Sequence, residues 1–432
     1  MNRDGIAAQN RRVVRAATRH RPPAVSRGMR IFGTVAALGA LALLAATGGC
    51  ADAHAEEQRG TDLGVTAGDP APLVRGDLEF GLSLLDAWCA DDPAANVVFS
   101  PSSLSSGLGM AALGAKGATR AELAKALGWP ADPLAALRAR TNLLRGLPGV
   151  KVSDRIWRDA AEPTEQDYLD RLVTAYRAGI MTLPLLTEPE ESRRTINDTI
   201  EDETNGLVKD LIPEGGLNRI GWVLTDAVHF KADWRSPFKP ENTAPAPFAA
   251  ASGAEVRAEY LNQAGSFGYG TAQGWTAVRL PYTGGTLSMV ALLPDGDGKD
   301  CAPPTASVLR GIELREERVE VSLPKVDLST KAELSDMLAA AGMPEPFADR
   351  ADFSGIGPSA GKIGFVQHAA TLRLDEKGTE AAAATAVGVE ATSAAPEEAK
   401  KVVFDRPYLL LLRDEATGQP LFLARVADPT RP

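Results

Sequence analysis

Cysteine and histidine are scarce in this chain, and the scarcity narrows its chemistry. Three cysteines among 432 residues exclude a disulfide-dense scaffold. The four histidines, at 20, 54, 229 and 368, are too scattered to suggest a metal cluster. Glycine is plentiful, yet no glycine loop has the spacing that cradles phosphate. Cations are in deficit. The formal net charge is −10, and the first 49 residues hold eight arginines against one aspartate. Everything after them carries 38 basic and 55 acidic residues, a net −17, which argues against nucleic acid as a partner. Regular alternation of strand and helix is also missing, which counts against a Rossmann or barrel enzyme.

Only one long apolar run is present, Ile31 to Ala46, preceded by Met29-Arg30 and followed by Thr47-Gly-Gly-Cys50. A basic start, a short apolar core and small residues before a cut site have the pattern of an export signal. Cys50 after Gly-Gly is similar to a lipoprotein cleavage box, with Thr47 where leucine is usual. Lipidation of Cys50 is therefore expected, with plain secretion or a membrane anchor as alternatives. Met29 is an alternative start. Residues 1–49 are assigned to this signal region, 50–72 to a flexible tether and 73–432 to one domain. Cys89 follows Leu78, Leu82 and Leu85 at helical spacing and is expected to be a buried core thiol. A Cys89–Cys301 bridge is possible but unsupported by the sequence.

Helical patterning covers 73–90, 102–113, 119–128, 163–178 and 192–206. Thr119 with Glu122 three residues on reads as a capping box, and 192–206 ends at Asn205-Gly206. Strand patterning covers 220–231, 255–261, 274–282, 286–294, 317–323, 363–374, 402–412 and 421–426. Helices early and strands late predict an α+β fold with mixed or antiparallel sheets.

Residues 376–394 alternate like a strand. Thr379, Ala381, Ala383, Thr385, Val387, Val389 and Ala391 share one face, all small or apolar; Glu380, Ala382, Ala384, Ala386, Gly388 and Glu390 share the other. No proline occurs between Gly378 and Ala395, so every amide can join a ladder, and Gly378 offers a hinge. Composition alone also fits an alanine-rich helix or a disordered linker. The strand patterns at both ends, Phe365–Leu374 and Val402–Leu412, favour a segment able to enter a sheet.

Over residues 73–432 the chain resembles the serpins. The resemblance rests on Asn96-Val-Val-Phe-Ser-Pro-Ser-Ser-Leu104, Gly114–Thr119, Ile196-Asn-Asp-Thr and Thr204–Leu211. It continues through His229-Phe-Lys-Ala-Asp-Trp234, Leu280-Pro-Tyr282, Leu287–Pro294, Leu323-Pro-Lys325, Asp352-Phe-Ser354 and Phe404-Asp-Arg-Pro-Tyr408. Each motif alone is weak, whereas their order and spacing are specific. The resemblance implies three sheets and about nine helices in one domain, with a reactive loop over about 376–400. It implies a metastable inhibitor, cleaved by a serine peptidase and trapping it as an acyl-enzyme while the loop inserts into the main sheet. The hinge and inserting residues are Glu376, Gly378, Thr379, Glu380, Ala381, Ala382, Ala383, Ala384 and Thr385. His368 and Asn197 match a buried pair under the central strands, with Ser100 and Ser103 nearby, and Trp234 matches the aromatic at the sheet opening. Asp226 stands where many relatives carry asparagine, with no consequence legible in the sequence.

Counting by the family's loop length places the scissile bond at Thr392–Ser393, with any bond from Ala391 through Ala395 open. No Lys or Arg lies between Gly378 and Glu398, so an elastase-like or subtilisin-like peptidase is expected and a trypsin-like one is not. The expected partner is that peptidase alone, held by a monomer, with no cofactor and with membrane contact only through an anchor. Two other readings remain at this point. One is a non-inhibitory relative acting as a binding or structural protein. The other is a hydrolase built on Gly357-Pro-Ser-Ala-Gly361, which fits the G-x-S-x-G pattern without its strand-to-helix context.

Overall fold

A computed structural model describes residues 55–204, 206, 208–379 and 399–432. The chain enters through β1 (Glu56–Gln58) and α1 (Ala71–Asp91), whose first turn holds a proline where no amide donor is required. After β2 (Val97–Phe99), Ser100 caps α2 (Pro101–Gly114) by accepting from the Ser103 amide at 3.2 Å. α3 (Gly117–Ala126), α4 (Leu134–Gly146), β3 (Val150–Asp159), α5 (Gln166–Tyr176), β4 (Ile180–Leu183) and α6 (Pro189–Glu203) complete the helical half. Strands then dominate: β5 (Trp222–Phe230), β6 (Ala232–Asp233), β7 (Ala244–Ala249), β8 (Glu255–Ala272), β9 (Trp275–Pro281) and β10 (Leu287–Pro294). α7 (Ala306–Gly311), β11 (Arg315–Pro324), β12 (Val326–Glu333) and α8 (Ser335–Ala340) lead to β13 (Val366–Leu374) and β14 (Gly378–Thr379). β15 (Lys400–Val403), β16 (Tyr408–Asp414) and β17 (Pro420–Val426) end the fold.

The first sheet runs β1-β4-β3-β5-β13-β14-β6, with β12 also on β13; the second runs β15-β11-β8-β9-β10-β16-β17-β2, with β7 on β8. The resemblance implied three sheets. Two hydrogen-bonded sheets form among the described residues because the 18-residue β8 pairs with β7 at one end and with β9 at the other. Alternation in β5 splits its side chains between two cores. Val223 and Ala227 pack with Ile196 and Ile200 of α6, whereas Leu224 and Val228 face the cores on the opposite side.

Several expectations change. The tether is ordered from residue 55 onward: β1 pairs antiparallel with β4, and Thr61 and Leu63 amides donate to Asp170 (2.7 Å) and Thr174 (2.9 Å). Cys89 is buried as expected but is not a thiol; it is bonded to Cys301, with Cα atoms 5.4 Å apart. Helical spacing reveals a buried face but not the loop that folds back onto it. The capping box does not form. Lys116 is the N-cap of α3, and the Thr119 and Glu122 side chains instead accept from the Asp352 and Glu345 amides, tying α3 to a distant segment. The strand expected over 402–412 is broken between Val403 and Tyr408, where Pro407 lacks a ladder donor. α6 ends at Glu203; Asn205 lies outside the described residues.

Candidate functional site: the head and middle of the β5–β13 seam

β5 and β13 run parallel, with Leu224–Val228 opposite Val366–Ala370. Beyond Ala370 they part, and a short turn fills the gap. The Asp375 carboxylate accepts from the Lys377 (2.8 Å) and Gly378 (3.2 Å) amides, and the Asp375 amide donates to the Gly378 carbonyl (3.0 Å). The chain reverses there, so that Thr379 pairs with Leu374 on one side and Ala232 on the other, antiparallel to both. Gly378 is required for close approach: a Cβ would lie 2.1 Å from the Ala232 carbonyl oxygen. Thr379 is fully buried, and its hydroxyl meets the Tyr282 hydroxyl at 2.6 Å.

The surrounding residues clamp this turn. Trp234 stacks on Tyr282 with centroids 4.4 Å apart, donates Nε1–H to the Asp375 carbonyl (2.9 Å) and its amide to the Lys377 carbonyl (2.7 Å). The expected aromatic at the opening is thus also a backbone clamp. Glu376 accepts from Lys325 Nζ (3.0 Å) and the Thr243 hydroxyl (2.8 Å). Burial opposes its charge, but hydrogen bonds from its own backbone amide, Lys325 and Thr243 outweigh that and hold the carboxyl below its usual range.

In the middle of the seam the expected His368–Asn197 pair does not form. His368 Nδ1 contacts the Asp226 carboxylate, and Ser103 Oγ lies 2.6 Å from Asp226 and 2.5 Å from Asp154. Asn197 donates to the Ile212 carbonyl (3.0 Å) and accepts from the Ile212 amide (2.8 Å). The reason is strand parity. His368 points to the α2 side of the sheet, whereas Asn197 rides on α6, over the face that displays Ala227 and Ala369. Ser100 caps α2 and contacts Ser102 at 3.3 Å without entering the cluster. Burial pushes the His368 imidazole down to about 3, keeping it neutral. Burial pushes both the Asp154 and Asp226 carboxyls above the usual carboxylate range, and the Asp226 charge lifts Asp154 further. Sequence patterning missed Asp154, whose charge interrupts the apolar pattern of β3.

Glu380, Ala381, Ala382, Ala383, Ala384, Thr385, Thr392, Ser393 and Cys50 lie outside the described residues. On the near side of them Thr379 lies in the first sheet, and on the far side Ala399 precedes β15, which pairs parallel with β11 in the second sheet. Ser359 of the G-x-S-x-G pattern sits in a turn, with its hydroxyl on Glu162 and Arg158; the strand-to-helix elbow a hydrolase needs is not there. No group of His, Cys, Asp or Glu among the described residues is arranged to hold a metal ion.

Known proteins share this architecture. The chain is 30% identical over 377 residues to the leukocyte elastase inhibitor of Bos taurus, covering 83% of this chain and 99% of that one. It is 33% identical over 378 residues to an uncharacterized serpin-like protein of Thermococcus kodakarensis, covering 84% and 87%. A crystal structure of uncleaved ovalbumin superposes with a TM-score of 0.72 at 24% identity, over 84% of this chain and all of that one. Thyroxine-binding globulin in complex with thyroxine gives 0.70 at 23%, over 83% and 99%. Residues 76–429, from within α1 to just past β17, match the family described as serpin (serine protease inhibitor), and the chain belongs to that family.

Proposed function

We propose that this protein inhibits serine endopeptidases as a suicide substrate. The peptidase's serine attacks the Thr392 carbonyl, Ser393 leaves as a free amine, and Thr392 remains esterified to the enzyme. The freed segment 378–391 then enters the sheet between β5 and β13 before water can cleave the ester.

The carrying observation is the direction of β14. Gly378-Thr379 already occupies the head of the seam, antiparallel to both flanking strands. Continuing that direction replaces one parallel pairing with two antiparallel ladders, the slightly more stable kind. Extending the Leu374↔Thr379 and Ala232↔Thr379 registers sets Ala384 between Ala369 and Ala227, and Thr385 between His368 and Asp226. The two extrapolations agree, because Ala369 and His368 are the native partners of Ala227 and Asp226. A dozen or so new ladder bonds at roughly 1 kcal/mol net would contribute on the order of 10 kcal/mol, comparable to the stability of a whole domain.

An elastase-like or subtilisin-like target fits the small residues at 391–395, and the elastase inhibitor among the relatives supports it. Incubation with elastase, subtilisin and trypsin followed by denaturing gels tests the reading. A complex stable to denaturant is expected with the first two. Cleavage without complex for every peptidase would favour a non-inhibitory binding protein. Export through residues 29–50 with acylation of Cys50 is part of the proposal, and the mass of the mature N-terminus checks it.

A further inference from the structure

Beneath the seam, donors and acceptors do not balance. Ser103 contacts both Asp154 and Asp226, Asp226 contacts His368 Nδ1, and the two carboxyl groups lie within hydrogen-bond reach of each other. These are four contacts among acceptors served by two protons, one on the Ser103 hydroxyl and one on a neutral imidazole. Asp154, Asp226 and His368 are opposite one another on three adjacent strands, β3, β5 and β13. Ser103, Asp226 and His368 are each at most 2% exposed, and Asp154 is half-buried. Two bare carboxylates cannot share such a site, so at least one must carry a proton.

We propose that the closed sheet is locked by a proton shared within the Asp154–Asp226–His368 cluster, and that losing this proton as pH rises loosens the β5–β13 seam. His368 and Asp226 are cross-seam partners, so any strand entering there must part them. The device rests on the insertion reading above only for its consequence; the proton itself does not.

The groups facing the cluster support a titration near neutrality. From α2 comes Ser103, and from β12 the apolar Ala332, opposite His368. From α4, Arg140 favours the charged form of Asp154, but it is engaged by Asp77 at 2.6 Å, and burial together with Asp226 outweighs it. From α5, Tyr176 is a buried phenol held neutral. Burial lifts Asp226 to about 7. A carboxyl raised in the folded state binds its proton there after the unfolded chain has lost it. Its stabilising effect is whole below the ordinary aspartate range and disappears as pH rises through about 7.

The full-length protein is melted from pH 5.5 to 8.5 alongside Asp154→Asn and Asp226→Asn, whose amides supply a permanent donor. In parallel, annealing of a synthetic peptide copying residues 378–391 is timed at each pH, and the carboxylic-acid C=O band is recorded by infrared at pH 6.5. The expected results are a melting temperature that falls with pH and annealing that quickens by up to about tenfold per unit through the titration. The acid band is present in the wild type and reduced in either variant, and both pH slopes flatten. A wild type with flat melting and no acid band overturns the proposal, as do equal slopes in a folded variant; if one variant fails to fold, the other decides. Absence of peptide annealing at every pH would refute the insertion reading, while melting and infrared would still decide the proton.

Discussion

Placing a cation at position 379 should turn the proposed trapping into plain substrate cleavage. Thr379 is fully buried between β13 and β6, with its hydroxyl on Tyr282. In Thr379→Arg the guanidinium would face a core of Trp234, Phe230 and Leu374. Burying an unpaired cation costs several kcal/mol even after relaxation. Losing the Tyr282 contact adds about 1 kcal/mol. The native protein can escape by releasing the two residues of β14 into solvent. The inserted state cannot, because residue 379 must be the first to zip. A penalty of about 3–4 kcal/mol on the insertion step slows it by roughly two to three orders of magnitude. Deacylation then wins. On denaturing gels the variant should give cleaved protein with almost no complex, and its inhibition stoichiometry should rise steeply. Thr379→Val keeps the shape and loses only the hydroxyl, and should still form complex. Equal complex yield from wild type and Thr379→Arg would refute the reasoning.

Glu376→Gln should lower native stability by about 1 kcal/mol, since Lys325 is partly exposed and solvent screens the pair; a double-mutant cycle with Lys325→Met in urea unfolding measures it. The Cys89–Cys301 bridge closes a span of 212 residues, so its removal by Cys89→Ala with Cys301→Ala should cost up to about 5 kcal/mol, read as a shift in urea midpoint absent when the wild type is already reduced. Ala384→Leu should stall insertion beneath α6 and raise the substrate fraction, whereas Ser393→Ala should leave complex formation intact.

The second half of the fold was largely legible because β8, β9, β10, β16 and β17 are apolar or alternating, and their boundaries moved by few residues apart from the extension of β8 and the break before β16. The missed elements share a cause. β3 carries Lys151, Asp154, Arg155, Arg158 and Asp159, charges that read as surface; in the fold Arg155 pairs with Glu203 and Asp154 lies half-buried beside Asp226. β7 holds two prolines, tolerated because it is an edge strand on β8 alone. Alternate residues of β12, Asp327, Ser329, Lys331 and Glu333, are polar because one face is open to water. At the site, Trp234, His368 and Ser103 were legible by motif, and Asn197 was misassigned because a motif does not say on which side of a sheet a helix residue lands. Asp226 was noticed as unusual, but its meaning needed Asp154, a cross-strand partner 72 positions away.

The alternating loop sequence acquires a physical reason once the register of β14 is extended down the seam. On that extension residues 381, 383 and 385 would follow Thr379 to the side of Leu372, Ala370 and His368, all buried, where the loop offers only alanine and threonine. Residues 380, 382 and 384 would turn to the α6 side. There Ala384 would meet Ala369 and Ala227, which pack with Ile196 and Ile200 of α6, so nothing larger than a methyl group fits without moving the helix. Glu380 is the exception that supports the register. It would lie between Arg373 and Lys231, both exposed, at the head of the sheet above α6. Opposite charges on directly facing strands contribute a few tenths to 1 kcal/mol each. A register shifted by one residue would bury this glutamate in the core and lift Thr379 out of it. The one early charge in the loop would therefore fall beside two exposed basic residues, of which Arg373 already pairs with Asp327, which ties the composition of 379–385 to the order in which the seam must close.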